Sequence, residues 1–368
     1  MLTPILTAGD KARKVAEKLR GLEGSWRSQK ERELWLLDKN DSNSAGPAWD
    51  ASLGTIGAGN HFAELQVVEE TSETDQGLRQ GDVILLVHSG SRGYGGDILK
   101  RHTQQSRDSI KESDAQSYLE EHDRACKWAS RNRDLIALRF LAVLEPGDPS
   151  WSLGTNEMGY QNLQVQIPAA LEAISGRKVV DIWHNNIERT LWPPQSLTPS
   201  HEQGSQEPAF VHRKGAAPTL DPHTGQPLSI LPLPGSRATP TLILHPTFTE
   251  ANEFGKTNGL SLAHGAGRAR SRADAAKYVA EKYQNRPDDL IRGDFVRADR
   301  LGNKKREQNG RDIHGGTWVV CEDKQLIWEE AGEAYKDVWD VGDDLSSHSC
   351  ADIWGWCRGR ISYKVRKE

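Results

Sequence analysis

The sequence predicts an α+β protein of packed mixed sheets with helices outside, and three observations predict it. Helix-period stretches at 10–22, 98–144 and 274–283 alternate with short apolar runs of strand character at 62–68, 82–87, 178–183, 241–244 and 360–365. Glycine-rich turns stand where several of these meet. A length of 368 residues at 36% hydrophobic content supplies a sizeable core. One domain over 1–368 is expected, because no internal repeat and no clean boundary divides the chain.

In chain order, DKARKVAEKLRGL (Asp10 to Leu22) puts Ala12, Val15, Ala16 and Leu19 on one face behind an acidic first residue, a helix that ends at the glycines 21–24. SLGTIGAGNHFAELQVV is a turn that opens into a strand, Phe62 to Val68. DVILLV (Asp82 to Val87) runs directly into HSGSRGYGG. From Ile98 to about Leu144 the pattern is helical and amphipathic, and EPGDPSW closes it. KVVDIW (Lys178 to Trp183), TLIL (Thr241 to Leu244) and RISYKV (Arg360 to Val365) read as strands, and Asp274 to Tyr283 as a helix. The proline-rich, polar stretch 192–208 reads as a surface insertion.

With 47 Lys and Arg against 52 Asp and Glu, the net charge is -5 and no global positive field advertises a polyanionic partner, so any basic site is local. Four cysteines without a secretory-type N-terminus point to free thiols in a reducing setting. No apolar run approaches the roughly 20 residues that span a bilayer. A soluble intracellular protein, cytoplasmic or nuclear, is expected.

The chemistry collects at three histidines placed alike: His61 in GAGNHF, His88 in LLVHSGSRG and His184 in DIWHNN, each at a predicted strand terminus. One such histidine alone reads as a core residue satisfied by backbone; three in one context read as metal ligands, whose imidazoles suit Mn, Fe, Co or Zn. Asn60, Asn185 and Asn186 beside them either orient a phosphate and a ligand tautomer or serve ordinary turns. RKGAAP (213–218) and PLPGSRATP (232–240) combine cations with glycine-permitted backbone approach, as a phosphate surface or a plain basic turn would. Neither a Walker-type loop nor a strand-to-helix GxGxxG occurs.

GTIGAGNHFAEL, VHSGSRGYG, DIWHNNIE, RKGAAP, LPGSR, LAHGAGR and EEAGEAYKD follow one another in an order that resembles the RtcB family of RNA ligases, which use GTP and manganese. The likeness runs from about Gly54 to Lys364 and implies the family's compact fold. It implies that His264 attacks the α-phosphorus of GTP and becomes guanylylated, and that His61, His88 and His184 hold manganese. Guanylate contacts fall by the same likeness on Asn60, His61, Phe62, Ala63, Glu64, His184, Asn185, Pro234, Gly235, Ser236, Arg237 and Thr241. They continue on His264, Gly265, Ala266, Gly267 and Lys364, with Lys367 the other candidate for that lysine. Arg92, Arg213, Lys214 and Arg268 are the expected RNA-phosphate contacts. A histidine at a glycine turn is accessible for in-line attack, and nearby backbone N–H groups and arginines can stabilise phosphate charge.

The implied reaction opens a 2′,3′-cyclic phosphate RNA end to a 3′-phosphate, transfers GMP from His264 to it, and lets a 5′-hydroxyl RNA end displace GMP. One departure stands against this: the family's D-x-x-C-G metal element upstream of GNHF has no counterpart, since no cysteine precedes Gly54. DRAC at Asp123 to Cys126 has the spacing but reads as helix. The expectation is an N-terminally truncated, aggregation-prone copy, the alternatives being a degenerate paralogue and a one-metal variant. An RNA-end-binding protein without turnover and a mononuclear phosphoesterase are the competing functions. CEDKQLIWEEAGEAYKD and WGWC offer partner-surface candidates, with most of their aromatics expected in the core.

Overall fold

In a computed structural model of the chain, the described residues are 9–22, 24–39, 41–72, 77–104, 109–155, 162–193, 205–221, 224–291 and 317–364. The fold is α+β, and it comprises two compact units. A helical unit holds 14–63, 85–181 and 363–368, and a sheet unit holds 1–13, 64–84 and 182–362. Among the described residues no helix is long and apolar enough to cross a membrane.

The spine of the helical unit is the 33-residue helix Glu112–Leu144, which contains the DRAC tetrapeptide. Trp128, Leu135, Ile136, Leu138 and Phe140 of this helix are buried, as are Trp26, Trp35 and Trp151 of the same unit. A buried indole needs an acceptor, and each finds one: Trp26 donates to the Leu153 carbonyl at 2.9 Å, Trp35 to the Arg131 carbonyl at 2.9 Å, Trp128 to Asp50 at 3.0 Å and Trp151 to Glu145 at 2.8 Å. Helix Gln29–Trp35 starts at a reciprocal Ser28–Glu31 capping box, a device that satisfies two orphan backbone donors. The single helix expected from Ile98 is two, Gly93–Thr103 and Glu112–Leu144; the first ends with Lys100, Arg101 and His102 in its last turn, where cations suit the helix dipole. The expected helix Asp10–Leu22 is Gly9–Leu19 followed by a 3₁₀ turn, Arg20–Leu22.

The main sheet has the order Val83–His88, Phe62–Thr71, Ala351–Tyr363, Thr241–Pro246, Leu231–Pro234, with Trp318–Val320 also pairing Ala351–Tyr363. Along the chain, the ends of the first two strands nearest His61 and His88 fall in the helical unit. Ala351–Tyr363 pairs antiparallel with Thr241–Pro246, and a bulge between Ile353 and Gly355 breaks the register. Gly355 is required there, because a Cβ would collide with the Glu70 carbonyl. Leu231, Leu233, Leu242 and Leu244 pack with Val338, Trp339 and Trp356 in one cluster, while Val68, Ile230, Ile243 and Cys357 form another. WGWC thus contributes Trp356 and Cys357 to the core.

Lys178 to Trp183 is not a strand; the strand starts later, at Asn185. Side-chain tethers to the long helix take the place of ladder partners: Asp181 accepts from Arg133 at 2.6 Å and Ser130 at 2.5 Å, and Lys178 pairs with Asp134 at 2.6 Å. Strand Asn185–Trp192 pairs antiparallel with Glu207–Lys214 to make a hairpin. The stretch 192–208 therefore includes both strand ends of that hairpin, and residues 194–204 lie outside the described set.

Candidate active site

Two histidine pairs stand out, one in each unit. In the helical unit His61 immediately precedes its strand and His88 ends the neighbouring one, and their ring centroids lie 5.5 Å apart at 63°. The Phe62 ring meets His88 edge-on at 5.6 Å. Two loops carry these rings, and hydrogen bonds lock the loops together. Ser89 donates to the Ile56 carbonyl at 2.7 Å. Arg92, itself at a φ of 58°, donates to Thr55 Oγ1 at 3.2 Å and to the Ile56 carbonyl at 3.2 Å. Gly57 has a φ of 107°, which favours glycine, and a Cβ there would displace the Arg92 guanidinium from its place against the loop.

The clamp on both loops is Asn132, fully buried on the long helix. Its carbonyl accepts from the Gly54 N–H at 2.7 Å, and its amide reaches Ser89 Oγ at 3.1 Å, the Thr55 carbonyl at 3.3 Å and the Gly90 carbonyl at 3.3 Å. Arg133 adds a bond to the Ser89 carbonyl at 3.2 Å. Sequence reading missed this pair, although a polar Asn-Arg step inside an apolar helix ridge is a visible signal. Lys364 is buried and donates to the Gly59 carbonyl, which places it beside Asn60 and His61. Burial, reinforced by the positive charges of Arg92 and Lys364, pushes the His61 pKa down to about 4. The ring is neutral at pH 7, the form that ligates metals.

In the sheet unit His184 and His264 stack, with centroids 3.5 Å apart and planes at 24°. The Gly215 turn fixes both: the His184 carbonyl accepts from the Gly215 N–H at 2.7 Å, and His264 Nδ1 lies 3.3 Å from the Gly215 carbonyl. A carbonyl only accepts, so Nδ1 carries the proton and Nε2 the lone pair. Burial lowers the His264 pKa and favours this neutral form. Asn185 accepts from the same Gly215 N–H at 2.9 Å.

The HGAG turn docks on the PGSR loop, since the Ala266 N–H donates to the Pro234 carbonyl at 3.0 Å. Gly267 has a φ of 73°, and its carbonyl accepts from the Lys336 N–H at 2.9 Å. Beneath the loop, Glu64 accepts from the Ala238 N–H at 2.9 Å and from Gln66 at 2.9 Å, and Gln66 also donates to Thr241 at 2.9 Å. Burial pushes the Glu64 pKa up to about 7, against the hydrogen bonds from Ala238, Gln66 and Ser362. Gly235 and Ser236 complete the loop through a bond from the Gly235 N–H to the Pro240 carbonyl at 3.0 Å and one from the Ser236 N–H to Thr239 at 2.5 Å.

The expected phosphate-binding arginines are held in distinct ways. Arg237 is buried and donates to the Ile327 carbonyl at 2.8 Å. Arg213 is buried against Ser261 at 2.9 Å and Glu188 at 2.7 Å, while Lys214 is exposed. Arg268 donates to Glu330 at 3.0 Å, Tyr335 at 3.2 Å and the Glu329 carbonyl at 2.8 Å. The structure thus groups Asn60, His61, Phe62, Ala63, His88, Arg92 and Lys364 in one unit. It groups Glu64, His184, Asn185, Pro234 to Arg237, Thr241 and His264 to Gly267 in the other. Lys367 lies outside the described residues.

Comparison with known proteins extends this correspondence beyond the motifs. The chain is 32% identical over 313 residues to RNA-splicing ligase RtcB2 of Escherichia coli, covering 83% of this chain and 63% of that protein. It is 28% identical over 309 residues to tRNA-splicing ligase RtcB of Methanococcus maripaludis, covering 79% and 55%. With RNA-splicing ligase RtcB of Mycobacterium tuberculosis it shares 26% over 322 residues, covering 78% and 59%. The chain therefore spans somewhat over half the length of these relatives. Residues 4–291 match the family described as tRNA-splicing ligase RtcB, and the chain belongs to the RtcB family.

Proposed function

We propose that this chain carries the guanylylation centre of a GTP-dependent RNA ligase, joining RNA ends that bear a 3′-phosphate or 2′,3′-cyclic phosphate to ends that bear a 5′-hydroxyl. The observation that carries this reading is the His184–His264 stack on the Gly215 turn, which holds His264 neutral with its lone pair on Nε2. A neutral imidazole of fixed tautomer is a competent nucleophile toward the α-phosphorus of GTP, with pyrophosphate leaving and GMP retained on the ring. The HGAG backbone follows directly, and its glycines let N–H groups approach a phosphate closely.

On this reading His61, His88 and His184 hold manganese, which when bound supplies charge neutralisation and alignment of the phosphates. Asn132 and Arg92 keep the His61 and His88 loops in register for that role. Lys364 and the PGSR loop take the guanylate, and Lys214 with the neighbouring cations takes RNA phosphate. GMP then passes to the RNA 3′-phosphate, and the 5′-hydroxyl end displaces it.

Covalent labelling tests the reading. The purified chain, incubated with manganese and GTP labelled at the α-phosphate, takes up label that survives denaturation, and a His264→Ala variant takes up none. A folded wild-type chain that never labels overturns the proposal.

A further inference from the structure

We propose that the outward face of the hairpin Asn185–Trp192/Glu207–Lys214 is a binding platform for single-stranded RNA, stacking an unpaired base on Phe210 and holding phosphates with Arg189 and Lys214. The inference rests on the RNA-ligase reading for its ligand class, and it adds a substrate surface outside the His264 centre.

The cross-strand register sorts the hairpin's residues onto two faces. Asn185 opposes Lys214, Ile187 opposes His212, Arg189 opposes Phe210 and Leu191 opposes Pro208. These eight side chains share one face, because directly opposed residues of an antiparallel pair point the same way. They include two full cations and a histidine and no acid, on a chain whose net charge is -5. The acids of both strands, Glu188 and Glu207, sit on the opposite face with Asn186 and Arg213. There Glu188 is neutralised by the buried Arg213 at 2.7 Å. The segregation leaves a local positive surface on a chain of negative net charge.

The same face exposes apolar area that nothing among the described residues covers. Phe210 is 50% exposed and Leu191 53% exposed, two of only four large hydrophobic residues at least half exposed among the described residues. An aromatic ring directly across from Arg189, on a face free of carboxylates, suits an unpaired nucleobase, whose π-face stacks while phosphates along the strand meet Arg189 and Lys214. A duplex hides its base faces and leaves the ring idle. The hairpin's root is also the catalytic turn: Asn185 follows His184, and Lys214 precedes the Gly215 that holds His264. RNA lying along this face leads its end toward the nucleophile.

Fluorescence anisotropy with a short labelled single-stranded RNA ending in a 3′-phosphate tests the proposal on the full chain. Phe210→Ala weakens binding roughly 5- to 100-fold, the range for loss of one base–aromatic stack. Arg189→Ser weakens it and flattens the salt dependence by about one phosphate contact. Phe210→Trp restores wild-type affinity, which a folding defect at this position would not allow, and Val165→Ser, exposed on the helix Leu163–Ser175, changes nothing. The wild-type chain also prefers single-stranded RNA over the matching duplex. Unchanged affinity in both Phe210→Ala and Arg189→Ser overturns the platform, as does a wild-type dimer in sedimentation that Phe210→Ala dissolves, since the face would then bind a second copy. Labelling of His264 by GTP needs no RNA, so failure of the ligase reading is scored separately.

Discussion

The rings of His184 and His264 lie stacked, 3.5 Å between centroids, on a single glycine turn. Their proposed roles differ, one ligating metal and one attacking phosphorus, so their removal has separable effects. His264→Ala abolishes the covalent label and keeps manganese affinity. His184→Ala abolishes the label and weakens manganese binding on the order of 10-fold or more. The free-manganese signal in electron paramagnetic resonance titrations distinguishes the two; equal metal affinity in both variants removes His184 from the ligand set.

Asn132 holds both histidine loops of the helical unit with one carboxamide. Truncation to alanine strands the Gly54 N–H and two carbonyls, those of Thr55 and Gly90, in a buried site, a loss of roughly 2–4 kcal/mol in urea unfolding. Asn132→Asp keeps the volume yet turns an acceptor toward the Thr55 and Gly90 carbonyls. It therefore destabilises at least as much as alanine. If aspartate proves the milder change, packing volume and not the amide donor is what the position supplies.

Glu64 predicts a pH dependence. Its folded pKa is about 7, raised from 4.5 chiefly by burial, so between these values the folded state binds the extra proton. Stability from this group is full below pH 4.5 and is lost as pH rises toward 7, a change bounded by on the order of 3 kcal/mol. Glu64→Gln cannot titrate. Urea unfolding measured at the two ends of this window shows the variant losing that part of the slope, and parallel profiles for variant and wild type refute the assignment.

What the sequence showed and what it hid follow from the range of the interactions. Phe62 to Val68, Asp82 to Val87 and Thr241 to Leu244 were legible as strands because their apolar runs are local and their ends carry turn residues. Lys178 to Trp183 misled for the same reason. Its apolar run is real, but Arg133 and Ser130, 48 and 51 residues away, capture Asp181 and keep the segment out of a ladder. The hairpin Asn185–Trp192/Glu207–Lys214 was hidden because its outward face mixes Ile187, Leu191 and Phe210 with Arg189, His212 and Lys214, so no apolar/polar alternation marks the strands. Among the proposed site residues, His61, His88, His184 and His264 announced themselves by glycine and asparagine neighbours. Asn132 and the Glu64–Gln66–Thr241 layer did not, because their partners come from distant parts of the chain.

Arg268 carries the last prediction. Its likeness to the family marks it for RNA phosphate, yet here its guanidinium is spread over Glu330, Tyr335 and the Glu329 carbonyl, with the Tyr335 ring 5.0 Å beneath it. Glu330 is only 2% exposed, so its carboxylate depends on that cation. Arg272 stands 3.7 Å from the other Glu330 oxygen and offers partial compensation. Arg268→Ala therefore costs roughly 2–4 kcal/mol, less than the loss of a wholly isolated buried pair. Adding Glu330→Gln removes the stranded charge and recovers part of that loss, so the double variant is more stable than the two single losses added together. Urea unfolding of the four proteins in this cycle gives the coupling directly. Strict additivity would free Arg268 from its structural role and leave the RNA phosphate as its partner.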